Sequence, residues 1–150
     1  MHRFERISAV LVALLAIAPS PATAFGALAL GQPDHIEKLG VAIGNAWNYK
    51  TKEEAAAAAV KRCTEFQGAP KAVKLCGLTR TYENQCISIA MDPKSGTPGF
   101  GWSIMNDQAK ADEAALSNCR STAGRGREKF CKVTEGHCDA VHAKEEAPSK

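Results

Sequence analysis

Gly44-Asn45-Ala46-Trp47 and Gly99-Phe100-Gly101-Trp102 are two copies of one pattern, Gly-x-small-Trp, and they decide the fold. Each is followed by an alanine-rich stretch that closes on a cysteine, Thr51 to Cys63 and then Asp107 to Cys119. The Trp-to-Cys interval is 16 residues in the first copy and 17 in the second. Ala59 and Ala115 each stand four residues before that cysteine, Val60 and Leu116 three before it. A further cysteine follows after 13 residues (Cys76) and after 12 (Cys131). An ordered series of matches at one spacing marks an internal repeat. Each copy reads as strand, strand with Gly-x-small-Trp, helix, strand. The expected fold is therefore α+β: two pseudo-repeated units, about 26–79 and 86–135, forming one domain of mostly antiparallel sheet with two helices.

The helices carry the clearest local signals. Thr51-Lys52-Glu53-Glu54 is a capping box, in which the Thr51 hydroxyl and the Glu54 carboxylate satisfy free amides at a helix start. Ala55 to Ala59 is a run of the best helix former. Ala56, Ala59, Val60 and Cys63 share one face at helical spacing. The second helix is capped at Asn106 or Asp107 and buries Ala111, Ala115 and Cys119, with Leu116 beside them. Strands are expected over 26–30, 39–47 and 72–79 in the first copy, and over 86–91, 99–105 and 129–135 in the second. Ile87 and Ile89 alternate with Ser88, as on a half-buried strand. Asp92-Pro93-Lys94-Ser95-Gly96 is a turn, and Gly31 to Lys38 is its longer counterpart in the first copy.

The chain has 150 residues, six of them cysteines, and a formal charge of +3. Its start has the layout of a secretory leader. Arg3 and Arg6 precede an apolar run from Ile7 to Ala18, Pro19 and Pro21 break it, and Ala22-Thr23-Ala24 gives the small-x-small cleavage pattern. Cleavage is expected between Ala24 and Phe25, which leaves 126 of the 150 residues. Losing Arg3, Arg6 and Glu5 lowers the charge from +3 to +2. So mild a balance excludes a nucleic-acid binder built on bulk charge. No stretch reaches the roughly 20 apolar residues that span a bilayer, so stable membrane insertion is not expected. The mature protein is expected in a periplasm or outside the cell. Residues 140–150, small and charged, read as a disordered tail.

After export, six thiols in a small domain read as three disulfides. No pair has the close C-x2-4-C spacing of zinc sites, and there is no C-x-x-C redox motif. The repeat pairs Cys63 with Cys76 and Cys119 with Cys131, each tying a helix end to the following strand. Cys86 and Cys138 have no counterparts in the repeat and pair by elimination. In the loop-entropy model a bond closing such a short loop is worth roughly 3 kcal/mol.

These features together resemble the exported bacterial family DUF4189, a domain of unknown function. The resemblance runs from Phe25 to Asp139. It rests on Gly26-Ala27-Leu28-Ala29, Ala46-Trp47-Asn48, Ala55 to Cys63, Cys76, Cys86 with Ile87 to Ala90, Gly99-Phe100-Gly101-Trp102, Ala114-Ala115 to Cys119, Cys131 and Cys138. The Gly31 to Lys38 excursion is longer than the family pattern. The resemblance implies a secreted or periplasmic α+β domain and brings no established catalytic residues.

Candidate chemistry is sparse. His137 beside Cys138 is a nucleophilic pair only if Cys138 is a free thiolate. No H-E-x-x-H, G-x-S-x-G or phosphate-loop motif is present. Glu53 and Glu54 have a sufficient role in the first helical turn, where they favour the helix dipole. Arg125 and Arg127, in the loop Gly124-Arg125-Gly126-Arg127, can pair with a carboxylate or phosphate, although charge runs commonly only face water. Trp47, Tyr49, Phe100 and Trp102 are expected at equivalent places in the two copies. As core, a Trp packs each helix onto the sheet. As a surface, the aromatics are anchors for a partner, with Tyr49 and Phe100 the more exposed.

The function expected from this reading is an exported, non-enzymatic binding module for another protein or an envelope component, an inhibitor, immunity or effector role being possible. No cofactor, metal or nucleic acid is expected. The alternative is a secreted enzyme with a thiol/His or carboxylate site near the C-terminal end. A metal carrier through His137 and reduced cysteines is a weaker third reading.

Overall fold

Two three-stranded antiparallel sheets pack face to face, with one long helix on the outside of each. The computed structural model describes residues 23–139, so all but the last two residues of the leader expected over 1–24, and the tail expected over 140–150, lie outside the described residues. The first unit runs β1 (Phe25–Gly31), a short helix α1 (Ile36–Leu39), β2 (Ala42–Tyr49), α2 (Lys52–Thr64) and β3 (Gly77–Glu83). The second runs β4 (Cys86–Met91), β5 (Phe100–Met105), α3 (Gln108–Thr122) and β6 (Lys132–Cys138). The sheet orders are β2-β1-β3 and β5-β4-β6, so the first strand of each unit is central.

Strand alternation sorts the side chains into two kinds of core. On β1, Ala27 and Ala29 face α2, while Leu28 and Leu30 face the other sheet. On β4, Ala90 faces α3, while Ile87 and Ile89 meet Leu28 and Leu30 between the sheets. The helix-facing layers consist almost wholly of alanine, glycine and cysteine, which lets helix and sheet backbones approach closely. The inter-sheet layer holds the large side chains, including Val41, Tyr82 and Phe100. Each of these side chains therefore contributes more apolar burial than an alanine of the helix-facing layers can.

The helix starts form as their sequences direct. The Thr51 hydroxyl accepts from the Glu54 amide at 3.2 Å, and the Asp107 carboxylate accepts from the Lys110 amide at 2.8 Å. The buried stripe of α2 is Ala55, Ala59 and Cys63, one position away from the expected Ala56. That of α3 is Ala111, Ala115 and Cys119.

Several strand limits move. Residues 72–75 and 128–130 are 3-10 turns, and β3 and β6 begin only after them. The reason lies in the disulfides, which join Cys63 to Cys76 and Cys119 to Cys131. Cys76 and Cys131 must stay beside the ends of α2 and α3, so the chain turns there before it can enter the sheet. The excursion before β2 contains α1, which occupies the start of the strand expected from Leu39. The third disulfide joins Cys86 to Cys138, which lie directly opposite each other on β4 and β6.

The repeat is real, but its strand register differs from the expected one. Gly44 lies opposite Ala29, and Gly101 lies opposite Ala90. A Cβ on Gly44 would collide with the Ala59 carbonyl and the Cys63 amide; on Gly101 it would collide with the Ala115 carbonyl and the Cys119 amide. Gly44 therefore corresponds to Gly101, not to Gly99. Both third strands carry a register shift at the matching point, after Leu28 and after Ile89. It follows that Asn45 matches Trp102, Trp47 matches Ile104, Arg80 matches Glu135 and Tyr82 matches His137. The two tryptophans are not equivalents, and neither packs a helix onto its sheet. Both lie on the inter-sheet side, half-buried at the margins of the sandwich.

Candidate functional site

The two margins where the sheets meet are the places where polar and aromatic side chains gather. At one margin β2 faces β6; at the other β3 faces β5. The repeat makes these seams equivalent, and they have diverged.

The β2–β6 seam is closed by its own side chains. The Trp47 indole and the His137 imidazole stack with ring centroids 3.7 Å apart and planes 6° from parallel. Asn45 Nδ2 donates to Glu135 Oε1 at 3.1 Å, and His137 Nε2 lies 3.3 Å from the same oxygen. Arg62 Nη1 donates to the Asn45 carbonyl, and its guanidinium lies 5.1 Å from the Trp47 ring centre. What remains is a groove of ≈ 480 Å³ walled by Ile43, Phe66 and Met91 beside these residues.

The β3–β5 seam keeps a larger groove of ≈ 620 Å³. Its walls include Arg80, Trp102, Gln32, Gln85, Asn118 and Ile104. Asn118 Nδ2 donates to the Trp102 carbonyl at 2.9 Å, the counterpart of the Arg62 contact with Asn45. The difference begins at Tyr82. Where His137 reaches across to the other sheet, Tyr82 lies back over Gly26, where any Cβ would collide with its ring. Its hydroxyl donates to the Ala46 carbonyl at 3.2 Å and reaches Asn45 Oδ1 at 3.4 Å. Burial, then the Asp139 and Glu135 carboxylates, raise its pKa far above the ordinary phenol value. The hydroxyl is therefore locked as a proton donor. The matching position on β4 is Ile87, whose side chain forbids such a posture.

The residues singled out in the sequence are scattered. Tyr49 is half-buried and packs with the alanine layer under α2. Phe100 is 4% exposed and belongs to the inter-sheet core, so it is no surface anchor. Its backbone explains this: it lies on the inward face of β5, and the Thr122 hydroxyl accepts from its amide at 3.0 Å. Arg127 is committed to Asp92. Its Nε donates to Oδ2 at 2.7 Å and its Nη2 to Oδ1 at 2.6 Å. The Arg127 hydrogen bonds hold the Asp92 pKa down at about 2, with help from the Lys94 amide. Arg125 is exposed, in a turn closed by the Arg127 amide on the Gly124 carbonyl at 3.1 Å. Gly124 and Gly126 give that turn its left-handed φ values of 81° and 77°. Cys138 is in disulfide linkage, and among the described residues there is no free cysteine. A thiolate beside His137 would require reduction of that bond.

Sequence reading missed Arg80 and Tyr82. Their signal was available only as members of a third strand of mixed polarity, Leu78 to Glu83, with no motif attached.

Fold and seams together define a disulfide-stapled helix–sheet–sheet–helix sandwich made from one repeated unit, with its exposed chemistry at the two margins. The family model described as Domain of unknown function (DUF4189) matches residues 25–138, and the chain belongs to that family. Neither a curated protein nor a solved structure matches the chain.

Proposed function

We propose that this protein is an exported, non-enzymatic binding module that holds another protein or an envelope component at the margin of its sandwich. The carrying observation is the divergence of the two seams. One is narrowed by its own stack and hydrogen bonds, which engage its indole and guanidinium, and the other keeps Trp102 and Arg80 along a larger groove. Three disulfides and a rigid inter-sheet core hold those groups in place before any ligand arrives, which lowers the ordering cost of binding. The leader-like start and the three disulfides support an oxidising compartment, periplasmic or extracellular.

The test is capture from envelope and culture fractions with the exported protein, wild type against Trp102→Ala. A specific ligand retained by the wild type and lost from the variant is expected. Recovery of nothing specific would count against the reading. The competing reading, an enzyme with a carboxylate site near the C-terminal end, draws on the Glu135–His137 pair. It requires an activity abolished by His137→Ala and untouched by Trp102→Ala. Intact mass checks export: a chain starting at Phe25, with no thiol labelled before reduction.

A further inference from the structure

The chemistry of the open seam narrows what it holds. Arg80 lies opposite Leu28 on β1, so its side chain leaves the sheet on the face turned toward β5. It is exposed, and no carboxylate is among the residues that line the groove. At the matching position of the closed seam stands Glu135, already engaged by Asn45 and His137. Among the described residues, the β3–β5 seam thus presents a guanidinium to solvent without an acid lining the same groove.

The other groups have a common character. Trp102 is half-buried and lines the groove. Around it stand neutral donors and acceptors, among them Gln32, Thr81, Gln85 and Asn118. A ligand suited to this set has a carboxylate, a flat apolar face and many hydroxyls. A sugar acid has all three. Its carboxylate pairs with a guanidinium through two parallel hydrogen bonds. The C–H face of its ring is weakly positive and complements the negative face of an indole. Its hydroxyls need the neutral amides and hydroxyls that line the walls. An acidic peptide would meet the guanidinium and the amides as well, but outside proline its residues lack the saturated C–H ring face that suits an indole. The volume of ≈ 620 Å³ falls within the range of small-ligand sites.

We propose that the β3–β5 seam binds an acidic oligosaccharide, with Arg80 pairing a uronate carboxylate and Trp102 stacking on a sugar ring. This rests on the binding-module reading and specifies its ligand.

The chain has two tryptophans, so a Trp47→Phe background leaves Trp102 as the sole indole reporter. Oligogalacturonate is titrated against the disulfide-bonded protein by Trp102 fluorescence, and against the wild type by calorimetry. Fully methyl-esterified oligogalacturonate of equal length is the uncharged control. Saturable binding of the acid form is expected, with a change in Trp102 emission and weakening by salt. Arg80→Gln should lower affinity about tenfold or more, the scale of a hydrogen bond to a charged group. Arg125→Gln, an equal loss of charge in a remote turn, should leave it unchanged. Equal weakening by the two arginine variants overturns the proposal, as does equal affinity for the ester. If oligogalacturonate does not bind but a captured protein depends on Arg80 and Trp102, the sugar inference fails and the binding-module reading stands. If neither binds, both fail.

Discussion

The β2–β6 and β3–β5 seams share one design, and a few matched positions set them apart, Gly26 with Ile87 and Tyr82 with His137 foremost. In the second unit Ile87 fills the inter-sheet face of the central strand, so His137 projects across the gap and stacks on Trp47. In the first unit the matching residue is Gly26, so Tyr82 lies flat across β1 and its hydroxyl goes to Ala46 and Asn45. One seam is narrowed by a side chain that crosses between sheets. The other keeps a larger groove because its counterpart folds back into its own sheet. A glycine on a strand can thus shape a surface several residues away, by admitting a ring where a side chain would stand.

The comparison is broken most forcefully at the helix contacts. Gly44→Val and Gly101→Val each drive a side chain into helix backbone, and each should destabilise by at least about 3 kcal/mol or prevent folding. Matched losses in denaturant titrations support the Gly44–Gly101 equivalence. A tolerated Gly101→Val would sink it.

Gly26→Ala comes next. It expels the Tyr82 ring from its place over β1 and should cost about 1–3 kcal/mol. Combining it with Tyr82→Ala should give a non-additive cycle, since the two residues touch. Additive losses would remove Tyr82 from the account of the open seam.

His137→Ala tests the closed seam. Loss of the stack should cost about 0.5–1.5 kcal/mol beyond the area term. In a Trp102→Phe background it should also alter Trp47 emission. An unchanged spectrum would mean that the rings do not stack in solution.

The smallest effect concerns the ion pair outside both seams. Asp92 has its folded pKa held at about 2 by Arg127, below the ordinary carboxylate value near 3.9. A depressed folded pKa stabilises above the unfolded value and loses that contribution as pH falls through the folded one. Wild type should therefore exceed Asp92→Asn in denaturation midpoint at neutral pH, and the gap should close from about pH 4 toward pH 2. A gap independent of pH would assign the effect to packing.

Much of the architecture was legible in local signals. The Thr51 and Asp107 caps, the alanine stripes and the cysteine spacings act within a few residues of each other, so the sequence displays them directly. The strand register was not. Matching Gly44 with Gly99 errs by two residues, and a slip of two leaves every side chain on its original face. Alternation therefore cannot reveal it; only the crowding of Gly44 and Gly101 under their helices does. Arg127 looked free because Asp92 stands 35 residues earlier, with nothing local to link them.

The amino-acid sequence alone determined the α+β class, the duplication and the limits of the two long helices, because short-range hydrogen bonding and residue spacing govern these. Tertiary structure decided which face each tryptophan shows, where Tyr82 lies and that Asp92 takes Arg127 while Arg80 lines a groove. Those outcomes depend on strands that meet only when two sheets pack, and on whether a glycine or an isoleucine occupies one position at that interface.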